Sequence, residues 1–218
     1  MFILDQTPSI ANQFIAEMRD ETVQKDRMRF RTNLTRLGEI LAYEISKSLT
    51  IDTRIVRTPL GKINIQIPSD QLVIVSVLRA SLPFYQGFIN FYDQAESGFI
   101  GAYREEKSTP ADNEDIHINL NYLACPSIED KTVIIADPML ATGKSFLKAI
   151  QKLLGHGRPK IIHIAAAFAA PEGIDQIKNN LEIPYRFWLG ALDEGLNELS
   201  YIVPGLGDAG DLAFGPKL

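Results

Sequence analysis

Residues 132–147 read TVIIADPMLATGKSFL, and this stretch decides the fold. Its first part, Thr132–Ala136, is apolar and rich in β-branched residues, which predicts a strand buried on both faces of a parallel sheet. A short polar loop follows, and then a helix that is predicted to begin near Ser145. Strand, loop and helix in this order are typical of a βαβ unit, in which ligands bind at the carboxyl ends of the strands.

The same pattern repeats on both sides of this stretch. Leu72–Leu78 (LVIVSVL) and Lys160–Phe168 (KIIHIAAAF) are two more buried strands, and Arg54–Thr58 with Ile63–Ile67 has the pattern of a hairpin. Other strands are predicted at Phe99–Arg104, Ile116–Leu123 and Arg186–Ala191, and helices at Ser9–Met18, Asp26–Leu49, Ser81–Tyr92, Ser145–Leu154 and Gly173–Asn180. We therefore expect an α/β fold with an open, mostly parallel sheet flanked by helices.

Composition excludes several classes of protein. The chain has 218 residues, of which 45% are hydrophobic, and its 22 Lys and Arg against 27 Asp and Glu give a net charge of −5. This balance is typical of a globular protein, and the acidic total disfavours binding to nucleic acid. No run approaches the roughly 18 apolar residues that a membrane span needs. One cysteine, Cys125, fits a reducing compartment, and three histidines make a zinc site a poor match.

The loop after Thr132–Ala136 has the features of a phosphate site. The backbone amides of the loop, the helix N-terminus and the Thr142 and Ser145 hydroxyls would all point to one place. Asp137 has the charge of a phosphate, so we expect it to accept hydrogen bonds from hydroxyls, as on a ribose. A P-loop NTPase motif needs glycine at position 138, where Pro138 stands. A helix start without any ligand stays open as the alternative.

Several further segments agree with a known family. They are Leu41–Glu44 (LAYE), Leu78–Ala80 (LRA), Gly101–Arg104 (GAYR), Ala169–Gly173 (AAPEG), Leu192–Asn197 (LDEGLN) and Tyr201–Asp211 (YIVPGLGDAGD). Together with DPMLATG at 137–143 they resemble type I phosphoribosyltransferases, and uracil phosphoribosyltransferases in particular. The last segment is the specific one, because the loop at 137–143 alone would indicate only the superfamily.

The resemblance implies a reaction and a set of site residues. The reaction is transfer of the phosphoribosyl group from phosphoribosyl pyrophosphate (PRPP) to uracil, which gives uridine monophosphate (UMP) and pyrophosphate. The residues implied for PRPP are Arg79, Arg104, Asp137, Pro138, Met139, Leu140, Ala141, Thr142, Gly143, Lys144, Ser145 and Asp208. Those implied for uracil are Tyr201, Ile202, Gly207, Asp208 and Ala209, and those for catalysis are Arg79, Arg104 and Asp208. For Tyr201, plain packing stays open as the alternative.

The resemblance also implies a cofactor, an assembly and a location. Mg²⁺ is expected to be held mainly by PRPP and water, so no protein ligand is assigned to it. A cytoplasmic homodimer or higher homo-oligomer is expected. The chain is expected to be a single domain, with a small hood contributed by about residues 1–30 and 193–218. The tail after Tyr201 contains four glycines and is predicted to be a folded loop, too rich in glycine for a helix.

Three positions depart from the family pattern. Lys144 stands where glycine is usual, and we expect its side chain either to add a cation near the 5′-phosphate or to point into solvent. Ser81 replaces glycine after Arg79-Ala80, which puts the shape of that loop in doubt. Leu212 replaces a basic residue. Because of Lys144 and Ser81, a catalytically weakened relative stays as an alternative. Two further alternatives are a regulatory protein that binds nucleotide or RNA without strong catalysis and a phosphoribosyltransferase for another base.

The remaining polar residues are expected to be structural. His117, His156 and His163 lie outside the matched segments, and Cys125 has no basic neighbour in sequence that would favour its thiolate. The acid pair Asp193-Glu194 is expected to support the structure or a neighbouring site residue.

Overall fold

A central sheet of eight strands carries the fold in the computed structural model, which describes residues 1–104 and 118–216. The strands of the described residues include the eight of this sheet and two separate pairs, β2–β3 and β11–β12. They are β1 (Phe2–Ile3), β2 (Ile51–Thr58), β3 (Gly61–Pro68), β4 (Leu72–Leu78), β5 (Glu96–Arg104), β6 (Ile118–Ala124), β7 (Thr132–Ala136), β8 (Met139–Leu140), β9 (Ile161–Ala169), β10 (Tyr185–Leu192), β11 (Gly195–Leu196) and β12 (Ile202–Val203). The helices are α1 (Ile10–Arg19), α2 (Arg27–Ser46), α3 (Ser81–Ile89), α4 (Lys144–Leu153), α5 (Pro171–Asn180) and α6 (Ala209–Phe214). Short 3₁₀ turns lie at Leu4–Gln6, Val23–Lys25 and Leu154–His156.

The sheet has the strand order β1-β10-β9-β7-β4-β5-β6, and the short β8 also pairs with β9. Its neighbouring strands are parallel except for the antiparallel pair β5–β6. Every residue of β7 is buried, and so are eight of the nine residues of β9. The apolar runs in the sequence are therefore the central strands, and the prediction of a mostly parallel α/β sheet is confirmed.

Helices cover both faces of this sheet. Successive residues of β7 point to opposite faces, so that Ile134 packs with the core formed by α1, α2, α3 and α6, while Val133 and Ile135 pack with α4 and α5. Both cores consist of fully buried aliphatic and aromatic side chains, including Phe84 and Phe146. The two buried faces hold the sheet rigid, which fixes the loops at its carboxyl edge.

The helices α2 and α3 approach each other through a pair of glycines. A Cβ atom at Gly38 would lie 2.2 Å from the carbonyl oxygen of Phe84, and one at Gly87 would lie 2.3 Å from that of Thr35. Both distances are well inside van der Waals contact, so the backbones touch only because neither position has a side chain.

Most predicted elements lie within a few residues of the observed ones. The strands at Leu72–Leu78 and Thr132–Ala136 have the predicted bounds, and Ser9 caps α1 as expected. The predicted helix Ser81–Tyr92 ends earlier, at Ile89, and the hairpin is longer than predicted. The sequence pattern missed β1, β8, β11 and β12, because two-residue strands are too short to show a period. The polar segment from Glu105, and His117, lie outside the described residues.

One prediction about the tail is wrong. The segment after Tyr201 is not too rich in glycine for a helix, because α6 occupies Ala209–Phe214. The Asp208 carboxylate accepts a hydrogen bond from the Asp211 amide at 2.9 Å and so caps this helix. The glycines with positive φ, Gly205, Gly207 and Gly215, all lie outside α6. The glycines therefore shape the turns on either side of the helix.

The glycine contact between α2 and α3 predicts a position-specific effect on stability. Gly87→Ala should lower the free energy of unfolding by about 2 kcal/mol, because the added methyl group forces the two helices apart. Gly155→Ala is the control, since a Cβ there meets nothing within 4 Å. Urea denaturation of both variants should show a loss for Gly87→Ala and little change for Gly155→Ala. Equal effects would contradict the close approach of the helices.

Candidate active site

Three predicted segments meet because their strands are neighbours. In the parallel register, Ser76 of β4 lies opposite Ala136 of β7, and Leu78 lies opposite Gly101 of β5. The loops after β4 and β7 therefore begin at the same edge of the sheet, with Arg79 in the first and Asp137 in the second. Arg104 ends β5 at that edge, but the position of its side chain lies outside the described part of the chain.

The first half of the predicted phosphate loop is fixed to β9. The carbonyl of Pro138 accepts a hydrogen bond from the Phe168 amide at 2.9 Å, and that of Leu140 accepts one from the Ala170 amide at 2.9 Å. Both side chains are buried, and Met139-Leu140 forms the short strand β8. Pro138 and Leu140 therefore anchor the loop, since their carbonyls are already used within the protein.

The second half of the loop turns into α4 at a glycine. Gly143 has φ +76°, and a Cβ there would lie 2.7 Å from the carbonyl oxygen of Gly173 in α5. The Thr142 hydroxyl accepts a hydrogen bond from the Lys144 amide at 3.4 Å. A helix that begins at a glycine has no capping side chain, and amides at such an N-terminus bind anions. Residues 142–145 therefore have the backbone geometry of a helix N-terminus, as the predicted phosphate site requires.

Asp137 begins the same loop. Its carboxylate accepts a hydrogen bond from the Met139 amide at 3.1 Å, which orients the side chain at the strand end. The remaining lone pairs of a carboxylate can accept further hydrogen bonds. This geometry suits the predicted role of accepting hydrogen bonds from sugar hydroxyls.

Arg79 joins the edge of the sheet to the tail of the chain. Its guanidinium Nη2 donates to a carboxylate oxygen of Asp211 at 3.1 Å, and the side chain is half-exposed. A Cβ at Gly210 would lie 3.3 Å from the same nitrogen and 3.1 Å from a carboxylate oxygen of Asp208. The structure thus brings together two of the three residues predicted for catalysis, Arg79 and Asp208. The peptide bond before Arg79 is cis.

Ser81 fits the loop that carries Arg79. It is buried at the start of α3, and its hydroxyl lies 2.6 Å from that of Ser76 in β4. The serine thus ties the loop to the strand that precedes it, where a glycine would have no such contact.

The residues predicted for uracil differ in their exposure. Tyr201 and Gly207 are exposed, whereas the side chains of Ile202 and Ala209 are buried. Ile202 pairs with Leu196 in the small β11–β12 sheet, which fixes the start of the tail. Only backbone groups of Ile202 and Ala209 can therefore face a ligand, while Gly207, at φ +93° with open space around it, allows close approach to its backbone.

Sequence reasoning missed the role of Asp211 and of Arg19. Asp211 lies in the tail motif, and the only sequence signal for it is that it is the second acid of the Gly-Asp-Ala-Gly-Asp pattern. Arg19 lies near the end of a predicted amphipathic helix and gave no signal. In the structure it pairs with Asp193, one of the two acids expected to have a supporting role.

The other singled-out residues take no part in this arrangement. His163 is buried in β9 and accepts a hydrogen bond from the Trp188 indole at 2.8 Å; burial, with the Arg186 charge, lowers its pKa to about 4. Burial also raises the pKa of the Cys125 thiol to about 11, so the thiolate is disfavoured. Within residues 1–104 and 118–216, no group of three His, Cys, Asp or Glu residues could hold a metal ion. In the same part of the chain no helix has the length and apolar character that crossing a membrane requires.

Comparisons with known proteins show which proteins the chain is similar to. A family model described as uracil phosphoribosyltransferase matches residues 5–216. A protein named uracil phosphoribosyltransferase from Porphyromonas gingivalis is 50% identical over 210 residues, which cover 96% of this chain and 95% of that protein. One of the same name from Thermococcus gammatolerans is 36% identical over 221 residues, which cover 100% of this chain and 94% of that protein. A solved structure of a protein from Aquifex aeolicus is 31% identical, with a TM-score of 0.84 and 98% of both chains covered.

Lys144 at the start of α4 gives a test of the anion-binding loop. Lys144→Met should raise the KM for PRPP about 5-fold, because a lysine charge beside a phosphate contributes about 1 kcal/mol to its binding. Lys148→Met, one turn further along α4, is the control and should leave that KM unchanged. Steady-state kinetics at saturating uracil measure both. An unchanged KM for Lys144→Met would show that this lysine points into solvent.

Proposed function

The chain belongs to the uracil phosphoribosyltransferase family, and on that basis we propose which of its residues bind PRPP and which bind uracil. The enzyme is a pentosyltransferase that moves the phosphoribosyl group of PRPP to uracil, giving UMP and pyrophosphate. The observation that carries this function is the family match over residues 5–216, which includes the loops after β4 and β7 and the tail.

The PRPP site is proposed to lie along the carboxyl edge of β4, β5 and β7. The 5′-phosphate would bind at the start of α4, to the amides and hydroxyls of residues 142–145, with Lys144 beside it. The Asp137 carboxylate would accept hydrogen bonds from the ribose hydroxyls. This assignment is supported by the turn at Gly143, where α4 begins without a capping side chain. Helix N-termini are common phosphate sites for the same electrostatic reason.

The two arginines are proposed to stabilise the leaving group. Cleavage of the anomeric C–O bond leaves positive charge on the ribose ring and negative charge on the departing pyrophosphate. Guanidinium groups pair with phosphate oxygens through two parallel hydrogen bonds, so Arg79 and Arg104 would hold that developing charge. The ion pair of Arg79 with Asp211 supports this role, because the guanidinium already faces an anion. Pyrophosphate would replace the Asp211 carboxylate there.

The uracil site is proposed to use the backbone of the tail. Uracil presents an acceptor, a donor and an acceptor at its C2 carbonyl, N3–H and C4 carbonyl. Backbone amides and carbonyls of residues 201–209 can meet this edge, and the buried side chains of Ile202 and Ala209 leave only their backbone groups for the base. Cytosine would leave buried polar groups unpaired, which is the strongest form of discrimination between similar substrates. Asp208 lies between this site and Arg79.

Mg²⁺ is proposed as the cofactor that arrives with PRPP. The ion keeps several waters and binds substrate phosphates through few protein carboxylates. The residues present fit such an ion, because the Asp137 and Asp208 carboxylates lie beside the proposed substrate, and the described residues contain no group of three His, Cys, Asp or Glu that could hold a permanent metal. When bound, the ion would neutralise part of the pyrophosphate charge, and the two arginines would neutralise the remaining part.

No observation on the described residues favours the regulatory alternative. A nucleic-acid binder needs a basic face, whereas this chain has a net charge of −5. Ser81, a reason to consider weakened catalysis, has its own hydrogen bond in the loop. A cytoplasmic location and the hood formed by residues 1–30 and 193–218 stay predictions. The hood is supported by the ion pair of Arg19 with Asp193, which joins the two segments.

A homo-oligomer is proposed from the hairpin of β2 and β3. This hairpin forms its own two-stranded sheet, and the pairing of Val56 with Ile63 puts these residues on one face with Ile65 and Ile67. Ile63 and Ile65 are 54% and 41% exposed, although apolar faces of this kind are normally covered.

Charge favours a second copy of the chain as the covering surface. Residues 51–68 contain Arg54, Arg57 and Lys62 against Asp52, a net charge of +2. The rest of the chain therefore carries −5 − 2 = −7. A basic hairpin with an apolar face thus complements the acidic body of another copy.

An activity assay tests the proposed function. Incubated with PRPP and Mg²⁺, the protein should convert uracil to UMP and leave cytosine and hypoxanthine unchanged. Liquid chromatography of the products measures all three. Absence of UMP would overturn the function, and a nucleotide product from hypoxanthine would indicate a purine enzyme.

The arginine at the end of β5 gives a test of the leaving-group site. Arg104→Ala should lower kcat/KM for PRPP about 100-fold, the typical loss when one donor to a developing anion is removed. The melting temperature should change little, since the role is in catalysis. A parallel loss of stability and activity would contradict the assignment.

The hairpin predicts the effect of surface charge on assembly. Ile63→Lys with Ile65→Lys should convert the oligomer to a monomer, because burying two lysine charges in an apolar interface has a high free-energy cost. Asn64→Lys with Gln66→Lys places the same charges on the opposite face of β3 and is the control. Light scattering after size exclusion measures the mass of each. A monomeric wild type, or equal masses for the two variants, would contradict this interface.

A further inference from the structure

An ion pair ties the N-terminal helix α1 to the segment after β10. Arg19, the last residue of α1, donates from Nη1 to the Asp193 Oδ2 at 2.9 Å, and its Nη2 pairs with the other carboxylate oxygen. Asp193 is only 9% exposed. Two parallel hydrogen bonds between a guanidinium and a carboxylate fix the relative orientation of both groups.

The same pair holds both polar backbone groups of one residue in the tail, Gly205. The Gly205 amide donates to Asp193 Oδ2 at 3.0 Å, and the Gly205 carbonyl accepts from Arg19 Nη1 at 3.0 Å. Gly205 has φ +54°, and a Cβ there would lie 2.1 Å from the carbonyl oxygen of Ile202. We call Arg19, Asp193 and Gly205 the tail clamp. It fixes the turn that lies between Ile202 and Gly207, two residues proposed to meet uracil.

The tail clamp also touches the other half of the site. The Arg19 guanidinium lies over the Phe168 ring, 4.6 Å from its centroid. Phe168 pairs with Met139 of β8, and its amide donates to the Pro138 carbonyl of the phosphate loop. A single arginine therefore contacts the strand that anchors the PRPP loop while it holds the turn of the uracil tail.

Stability alone is a weak explanation for such a pair. Removing two charges from water has a cost that the attraction between them often fails to exceed, so buried ion pairs are frequently replaceable by apolar residues. Here the pair is connected to a glycine turn of unusual conformation, where a backbone carbonyl and a backbone amide both need partners. A geometric function explains this arrangement better than a general contribution to folding.

We propose that Arg19 and Asp193 are positioning residues for uracil, which act through the backbone of Gly205. The clamp sets the direction of the amides and carbonyls in residues 202–207, so that they match the edge of the base before it binds. Neither side chain touches the substrate. The inference rests on the proposed uracil site in the tail.

Variants of Arg19 test the clamp. Arg19→Met keeps the length of the side chain and removes its hydrogen bonds to Asp193 and Gly205. We expect the KM for uracil to rise about 10-fold or more, with kcat and the KM for PRPP changed less than about 2-fold, since only ground-state binding of the base depends on the turn. Arg19→Lys retains a donor and should give a smaller rise, about 3-fold, in the same direction.

A neighbouring contact on the same helix supplies the control. Glu17 accepts hydrogen bonds from Arg29 and Asn33 of α2, which join α1 to α2 away from the tail. Glu17→Gln should lower the melting temperature and leave both KM values unchanged. The comparison separates a loss of stability from a loss of uracil positioning.

The results distinguish the clamp from the proposed function on which it rests. If the wild type makes no UMP, the proposed function fails. If the wild type is active and a folded Arg19→Met has an unchanged KM for uracil, the clamp is wrong. An equal rise in the KM for both substrates also overturns it, because that is the signature of a purely structural role. Should Arg19→Met fail to fold, Arg19→Lys decides by the same criteria.

Discussion

The parallel pairing of β4 with β7, in which Leu72 lies opposite Thr132 and Ser76 opposite Ala136, is the constraint on which the site depends. Parallel strands end at the same edge, so this register brings the loop of Arg79 next to the loop of Asp137. The pairing is stable because both strands are buried by helices on the two faces of the sheet. A shift of one residue would exchange the two cores and separate the loops.

The tail completes a site that the sheet alone leaves open. Arg79 reaches Asp211, the Asp208 carboxylate caps α6 beside it, and the clamp of Arg19 and Asp193 fixes the turn at Gly205. The ion pair of Arg19 with Asp193 therefore joins the N-terminal helix α1 to the segment after β10. The charge at the carboxyl edge of the sheet differs from the net charge of the whole chain. The Arg79 guanidinium and a helix N-terminus suit an anionic substrate, although the chain as a whole has a net charge of −5.

Much of the fold was predictable from the sequence wherever the hydrophobic pattern is strong. Apolar runs such as Leu72–Leu78 indicate central strands, and the structure has that strand at the predicted bounds. The phosphate site in the loop after Thr132–Ala136 stays a prediction. The contacts between distant segments were not predictable. Asp211 and Arg79 are far apart in the sequence, and nothing local in either one predicts their ion pair. The helix α6 was missed because the prediction counted the glycines of the tail. The stabilisation of the helix by the Asp208 cap outweighs the low helix propensity of Gly210.

The most direct test of this account is a crystal structure of the enzyme with uracil and a non-hydrolysable PRPP analogue. The account predicts that the pyrophosphate group replaces Asp211 as the partner of Arg79, that the 5′-phosphate lies at the start of α4, and that uracil is bound by backbone groups of the tail. An Arg79 still paired with Asp211, with both ligands elsewhere, would contradict it.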